Sequence, residues 1–222
     1  MRFLYHPDAG SVRLEVEGES YRYLFKVRRF HRDDPLPLRN MRDEKLYIYR
    51  VDQLDRRRAI LRLEQSELVP VHAGRSLHLA WCVTDPKTVE KSLPTLNEIG
   101  VEKITFVMCE RSQRSFRPDF GRLRRILVNS SQQCGRSRLM ELDLCENLSS
   151  LLEQHPEALL LDFSDRPLEC GEEFSVIVIG PEGGVTDRER SLFPRERVRG
   201  LATPLILRSE SAACAVAARF LL

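Results

Sequence analysis

No apolar run among the 222 residues approaches the roughly 20 that a membrane-spanning helix needs, so no membrane partner is expected. The N-terminus, Met1-Arg2-Phe3-Leu4-Tyr5-His6-Pro7, lacks the long apolar stretch that follows a basic start in a secretory signal. Cys82, Cys109, Cys134, Cys145, Cys170 and Cys214 are scattered, and no Cys-x-x-Cys pair occurs. That spacing argues against zinc, so no metal site is expected, and it predicts reduced thiols in a cytoplasmic protein. Internal repeats and low-complexity segments are also missing. So are the Gly-x-Gly-x-x-Gly spacing of dinucleotide sites and the Gly-Lys-Ser/Thr ending of phosphate-cradling loops. Dinucleotides and nucleoside triphosphates are therefore poor candidate ligands.

The formal net charge is only +2, but it is unevenly placed. Tyr21 to Arg32 holds Arg22, Lys26, Arg28, Arg29 and Arg32 and no acid. Arg111 to Arg138 sets eight arginines against Asp119 alone, whereas Glu141 to Glu173 is acid-rich. Segregated basic segments suit a phosphate-binding face, with a solvated helix face as the plainer reading. The bias to arginine favours RNA, because guanidinium groups fork and stack where an ammonium is a point charge. Tyr21, Tyr23 and Phe25 stand beside the first basic cluster, where rings can stack on bases, although at least one is expected in the core.

Two patterns of periodicity divide the chain. Over residues 1–70 short strands are predicted at Phe3 to Tyr5, Val12 to Val16, Lys45 to Val51 and Ala59 to Leu63, with a short helix over Glu19 to Phe25. Asp33-Asp34-Pro35-Leu36-Pro37 reads as a turn, because proline interrupts a ladder. So many strands in so few residues suggest a small barrel. After a linker at Leu68 to Gly74, strands and helices alternate through residues 75–222, which implies a parallel sheet covered on both faces. Its strands are expected at Ser76 to Val83, Ile104 to Val107, Leu139 to Leu142, Ala158 to Leu161, Val176 to Ile179 and Leu205 to Leu207. Gly100 should stop a helix that Pro94 kinks or breaks.

The chain is organised around Ser175 to Val185. An unbroken β-branched run, Val176 to Ile179, meets Gly180-Pro181-Glu182-Gly183-Gly184, and Thr186-Asp187-Arg188-Glu189 then has the spacing of a helix capping box. Strand, glycine loop and capped helix is where open α/β sheets place small-molecule sites, although a Gly-Gly loop is more often a plain turn. Glu182 in mid-loop disfavours phosphate. Leu205-Ile206-Leu207-Arg208-Ser209-Glu210-Ser211-Ala212 repeats the logic, with Ser209 as a plausible N-cap and an alanine-rich helix after it.

Together these two segments resemble the bacterial small-subunit ribosomal RNA uridine-N3 methyltransferases of the SPOUT superfamily. Asn97 to Val101, Cys109 to Ser112, Gln132 to Arg136 and Val27-Arg28-Arg29 are similar to further segments of that family, so the likeness spans nearly the whole chain. The resemblance implies an α/β C-terminal domain over residues 75–222, its mostly parallel sheet tied in a trefoil knot. A small PUA-like β-barrel for RNA over residues 1–70 precedes it. It also implies bent S-adenosylmethionine in the knot, a homodimer, and small-subunit ribosomal RNA or the assembled small subunit as partner. Cofactor binding is then expected of Ile179, Gly180, Pro181, Glu182, Gly183 and Gly184, of Ile206, Leu207, Arg208, Ser211 and Ala212, and of a third wall at Leu161 and Asp162. RNA binding is expected of Arg22, Arg29, Arg111, Arg114, Gln133 and Arg136.

Methyl transfer to uridine N3 needs in-line positioning and stabilisation of the deprotonated ring. Arg208 or loop N–H groups are the candidates for stabilising that charge, and Glu210 is the candidate for accepting a proton or holding Arg208. Thr95 and Ala202-Thr203 depart from the family's Lys and Leu-Gly. Those departures keep two alternatives open: a non-catalytic RNA-binding descendant, and a related enzyme acting at another RNA position.

Overall fold

The computed structural model describes residues 2–83, 85–112, 117–169 and 174–222. The chain folds into two units, one of Met1–His72 with Ser131–Leu139 and one of Ala73–Ser130 with Met140–Leu222.

The first unit is a five-stranded sheet in the order β1 (Leu4–Tyr5), β3 (Leu36–Arg39), β4 (Lys45–Leu54), β5 (Arg58–Leu68) and β2 (Arg13–Glu17). Of its four ladders, β1–β3 is parallel and the rest antiparallel. Alternate residues of β2 are buried, so Leu14 and Val16 enter a core with Leu24, Leu36, Leu38, Tyr49 and Leu61. Register shifts in the β4–β5 ladder give the sheet places to bend.

The expected turn through Leu36 and Pro37 is instead strand β3. Proline is tolerated there because β1 pairs only with Leu38 and Arg39, leaving the missing Pro37 donor without a ladder partner to disappoint. The helix expected over Glu19 to Phe25 is α1 (Gly18–Tyr21) running into a π-helical turn, Arg22–Val27. The wider turn brings Arg28 back over the Tyr23 ring, 5.6 Å from its centroid. Tyr21 is core, whereas Tyr23 and Phe25 are partly buried against it.

The second unit carries an all-parallel six-stranded sheet, β11-β9-β10-β6-β7-β8. Its strands are β6 (His78–Cys82), β7 (Lys103–Val107), β8 (Glu141–Cys145), β9 (Leu159–Leu161), β10 (Val176–Ile179) and β11 (Val198–Arg199). Every residue of β6 and β10 is buried, as strands covered on both faces require. The helices are α2 (Pro86–Ile99), α3 (Phe120–Cys134, whose last four residues belong to the first unit), α4 (Leu148–Gln154), α5 (Asp187–Arg190) and α6 (Ser209–Leu221). Helix α2 is capped by the Asp85 carboxylate, runs unbroken through Pro94 and stops at left-handed Gly100. The slim alanine face of α6 packs against α2.

Two further expectations are overturned. Leu205 to Leu207 is not a strand: the place beside β9 is taken by β11, and Leu205 and Ile206 are left exposed. The six thiols are not all free, because Cys82 and Cys109 are joined by a disulfide. Cys82 ends β6 and Cys109 lies two residues past its neighbour β7, which brings their Cα atoms to 5.8 Å.

Candidate cofactor cavity

At the carboxyl ends of β9, β10 and β11 lies a cavity of about 500 Å³, within the second unit. Open parallel sheets keep ligand sites at this edge because loops, not strands, line it. Its floor is Ile179 and Gly180 at the end of β10. One wall is Leu161, Asp162, Phe163 and Asp165 after β9. The other is Thr203, Leu205, Ile206 and Leu207, with Ser209 and Ala212 where α6 starts. Three acids, Asp162, Asp165 and Glu182, line it, and among the described residues no lysine, arginine or histidine does.

Backbone geometry shapes the glycine loop. Gly184 is left-handed, with φ 69°, and its N–H donates to the Pro181 carbonyl at 2.9 Å. Gly183 has no such constraint, and a Cβ there would sit in ordinary contact with Arg111, at 3.5 Å. The turn is braced from two sides. Arg111 Nη1 donates to the Gly183 carbonyl at 2.8 Å. The predicted capping box forms: Thr186 Oγ1 accepts from the Glu189 N–H and Glu189 Oε2 accepts from the Thr186 N–H, at 3.2 and 2.9 Å. Buried Glu189 also takes the Glu110 N–H at 2.8 Å, tying the segment that carries Arg111 to the start of α5. From α5, Arg190 pairs with the Asp162 carboxylate and donates to the Phe163 carbonyl at 3.0 Å, fixing the far wall.

Ser209 does not cap α6. The capping position is Arg208, which makes no side-chain capping bond. The Ser209 hydroxyl instead donates to the Gly180 carbonyl at 2.6 Å and accepts from the Trp81 indole N–H at 2.8 Å. Neither contact is written in the local sequence, since Gly180 and Trp81 lie 29 and 128 residues away.

The structure places the sequence-predicted residues unevenly. Leu161, Asp162, Ile179, Gly180, Pro181, Glu182, Gly184, Ile206, Leu207 and Ala212 all line the one cavity. Gly183, Arg208 and Ser211 are not on its wall, and all three are exposed. Glu210 Oε2 is buried with no hydrogen-bond partner among the described residues. Phe163, Asp165, Thr203 and Ser209 were missed, because only the chain crossings bring them to the wall. Of the predicted RNA contacts, Arg22, Arg29 and Gln133 are exposed, whereas Arg136 is buried, at 6% exposed. Arg111 is exposed and turns its Nη1 to the glycine loop, and Arg114 lies outside the described residues.

Residues 72–221 match a family model described as an RNA methyltransferase domain. The chain is 39% identical over 221 residues, 98% of each chain, to the "Ribosomal RNA small subunit methyltransferase E" of Helicobacter pylori strain 26695. It is 28% identical over 220 residues, 93% of each chain, to the protein of the same name from Aquifex aeolicus. Among solved structures, it resembles a ribosomal RNA small subunit methyltransferase E from Neisseria gonorrhoeae bound to S-adenosyl methionine. That likeness has a TM-score of 0.80 at 21% identity and covers 98% of this chain and 95% of the other. A protein from Legionella pneumophila described as a methyltransferase, solved with bound cofactor SAM, gives 0.82 at 22% over 97% and 95%. At such identities these two likenesses establish the shared fold.

Proposed function

Because the chain belongs to the RNA methyltransferase family, we propose that it methylates uridine N3 in small-subunit ribosomal RNA, with S-adenosylmethionine held in the cavity at the ends of β9 and β10. The observation that carries this reading is the cavity's lining: apolar strand ends and glycine loops with three acids and, among the described residues, no basic side chain. That chemistry suits a cationic ligand with a large apolar and aromatic body, and it disfavours a phosphate-bearing nucleotide. When bound, S-adenosylmethionine supplies an activated methyl group on a sulfonium and leaves as the neutral thioether.

The chain's part is to position and to stabilise charge. Ile179, Gly180 and Leu207 would hold the cofactor by backbone and apolar contacts, and Asp162, held by Arg190, would offer a carboxylate to its charged groups. Arg208, exposed and adjacent in sequence to the wall residue Leu207, stabilises the negative charge that spreads over the uracil carbonyls when N3 loses its proton. Glu210, two residues on, accepts that proton or orients Arg208. Arg22, Arg29 and Gln133 hold the RNA backbone, and Arg111 acts through the glycine loop.

We further propose that the first unit is a PUA-like barrel and that the second is knotted where β9, β10 and α6 cross. The exposed Phe163, Leu205 and Ile206 around the cavity support a homodimer, since apolar side chains grouped at one site mark interfaces. A ribosomal RNA substrate supports a cytoplasmic location for the protein.

Primer extension on ribosomal RNA from a deletion strain tests the position. A methyl at N3 blocks the pairing edge, so reverse transcription stops one nucleotide short in wild type and reads through in the deletion. A stop that persists without the gene removes the uridine-N3 assignment.

A further inference from the structure

We infer that Ser209 is a positioning residue for the methyl-donor cavity: its hydroxyl locks the glycine loop, the start of α6 and strand β6 into one spacing. The inference rests on reading the cavity as the S-adenosylmethionine site. A serine in the first turn of a helix ordinarily caps it or bonds back to its own helix. Ser209 does neither. It is 6% exposed and spends its donor on the Gly180 carbonyl and an acceptor site on the Trp81 indole, which is 1% exposed.

The direction of both bonds follows from chemistry alone. A carbonyl only accepts and an indole N–H only donates, so the hydroxyl proton must point at Gly180. The Gly180–Pro181 peptide has no N–H, so its carbonyl is its sole hydrogen-bonding group. The next bond in the loop, Gly184 N–H to the Pro181 carbonyl, is made by the peptide that follows, so the two bonds meet at Pro181. Gly180, Pro181, Ser209 and Ala212 all line the cavity. Losing the hydroxyl therefore leaves the buried indole N–H and the half-buried Gly180 carbonyl without their partner and frees the peptide at the start of the loop.

Ser209→Val and Ser209→Thr decide the matter, because the two side chains share shape and only Thr keeps the hydroxyl. The chain's single tryptophan makes Trp81 emission a direct readout of the indole's partner. Calorimetric titration with S-adenosylmethionine is expected to show weakening of about tenfold or more in Ser209→Val, the equivalent of roughly 1.4 kcal/mol. Trp81 emission should shift in Ser209→Val and not in Ser209→Thr, whose affinity should return to within about threefold of wild type. In turnover, KM for S-adenosylmethionine should rise while KM for unmethylated small subunits stays unchanged. Wild-type affinity in Ser209→Val overturns the inference, as does an affinity loss in Ser209→Thr equal to that in Ser209→Val. Failure of Ser209→Val to fold makes Ser209 a structural residue and also overturns it. Absence of binding by wild type removes the reading of the cavity instead, while the Trp81 shift still reports whether the hydroxyl bond exists.

Discussion

Gly184 and Gly183 are neighbours with the same side chain and different constraints. The run Gly180-Pro181-Glu182-Gly183-Gly184 announces a tight loop, but sequence does not say which glycine carries the left-handed backbone, since that depends on where the chain must go next. The structure assigns it to Gly184, at φ 69°. A Gly183→Val change thus lacks the backbone penalty that the loop's composition suggests. In Gly184→Val a β-branched residue is forced into the left-handed region, at a cost of about 1–3 kcal/mol. The loop is expected to relax by moving Pro181 and Gly184, so S-adenosylmethionine affinity should fall by about tenfold or more, given that cost. Gly183→Ala should stay within about twofold of wild type, its Cβ meeting Arg111 at an ordinary 3.5 Å. Calorimetric titration of both variants checks the contrast, and equal losses would refute the assignment of the strained position.

Helix α5 spans only Asp187–Arg190, too short to persist on its own propensity. Its capping box was legible in Thr186 and Glu189 because the signal is local. The buried tether from Glu189 to Glu110 was not, because the partner lies 79 residues away. The same distinction explains the elements that sequence misplaced. The buried runs of β6 and β10 and the Gly100 stop of α2 are written in composition and spacing. Strand β3 hides behind Pro37, which is harmless only because β1 stops short of it. Leu205 to Leu207 has the composition of a buried strand, but β11 occupies the sheet edge and the run becomes cavity wall. If Glu189 is the pin that holds α5, Glu189→Ala leaves the Thr186 and Glu110 donors without their acceptor, costing roughly 1–3 kcal/mol. For a chain of this size the melting temperature should drop by about 2–4 °C per kcal/mol lost. Glu189→Gln, which keeps one acceptor oxygen, should lose less. Calorimetry that finds Glu189→Ala as stable as wild type removes the tether from the account.

The stability of the second unit as a whole should carry the mark of one histidine far from the cavity. His78 opens β6, at the amino end of the parallel sheet, and its Nε2 lies 2.7 Å from Thr105 Oγ1. Burial pushes its pKa down from 6.5 to about 4, helped by Lys103 and His155 and opposed by Asp143 and Glu157. The His155 ring meets it edge-on at 5.0 Å, so protonation would set a buried cation against a second imidazole and a lysine. No sequence pattern marks this, because His78 sits in an apolar run whose neighbours come from other strands and helices. A folded-state pKa below the unfolded value means that the unfolded chain binds the extra proton. The unit is therefore at full stability above about pH 6.5 and loses it as pH falls towards 4. The slope cannot exceed about 1.4 kcal/mol per pH unit for one proton, and the total is on the order of 3 kcal/mol. Urea unfolding followed by Trp81 emission reads this unit directly, since Trp81 lies in the same strand. His78→Gln, neutral throughout, should be less stable than wild type at pH 7 and should lose the steep dependence between pH 6.5 and 4. If wild type and His78→Gln instead give parallel profiles across that window, the buried neutral histidine is not what couples this sheet to pH.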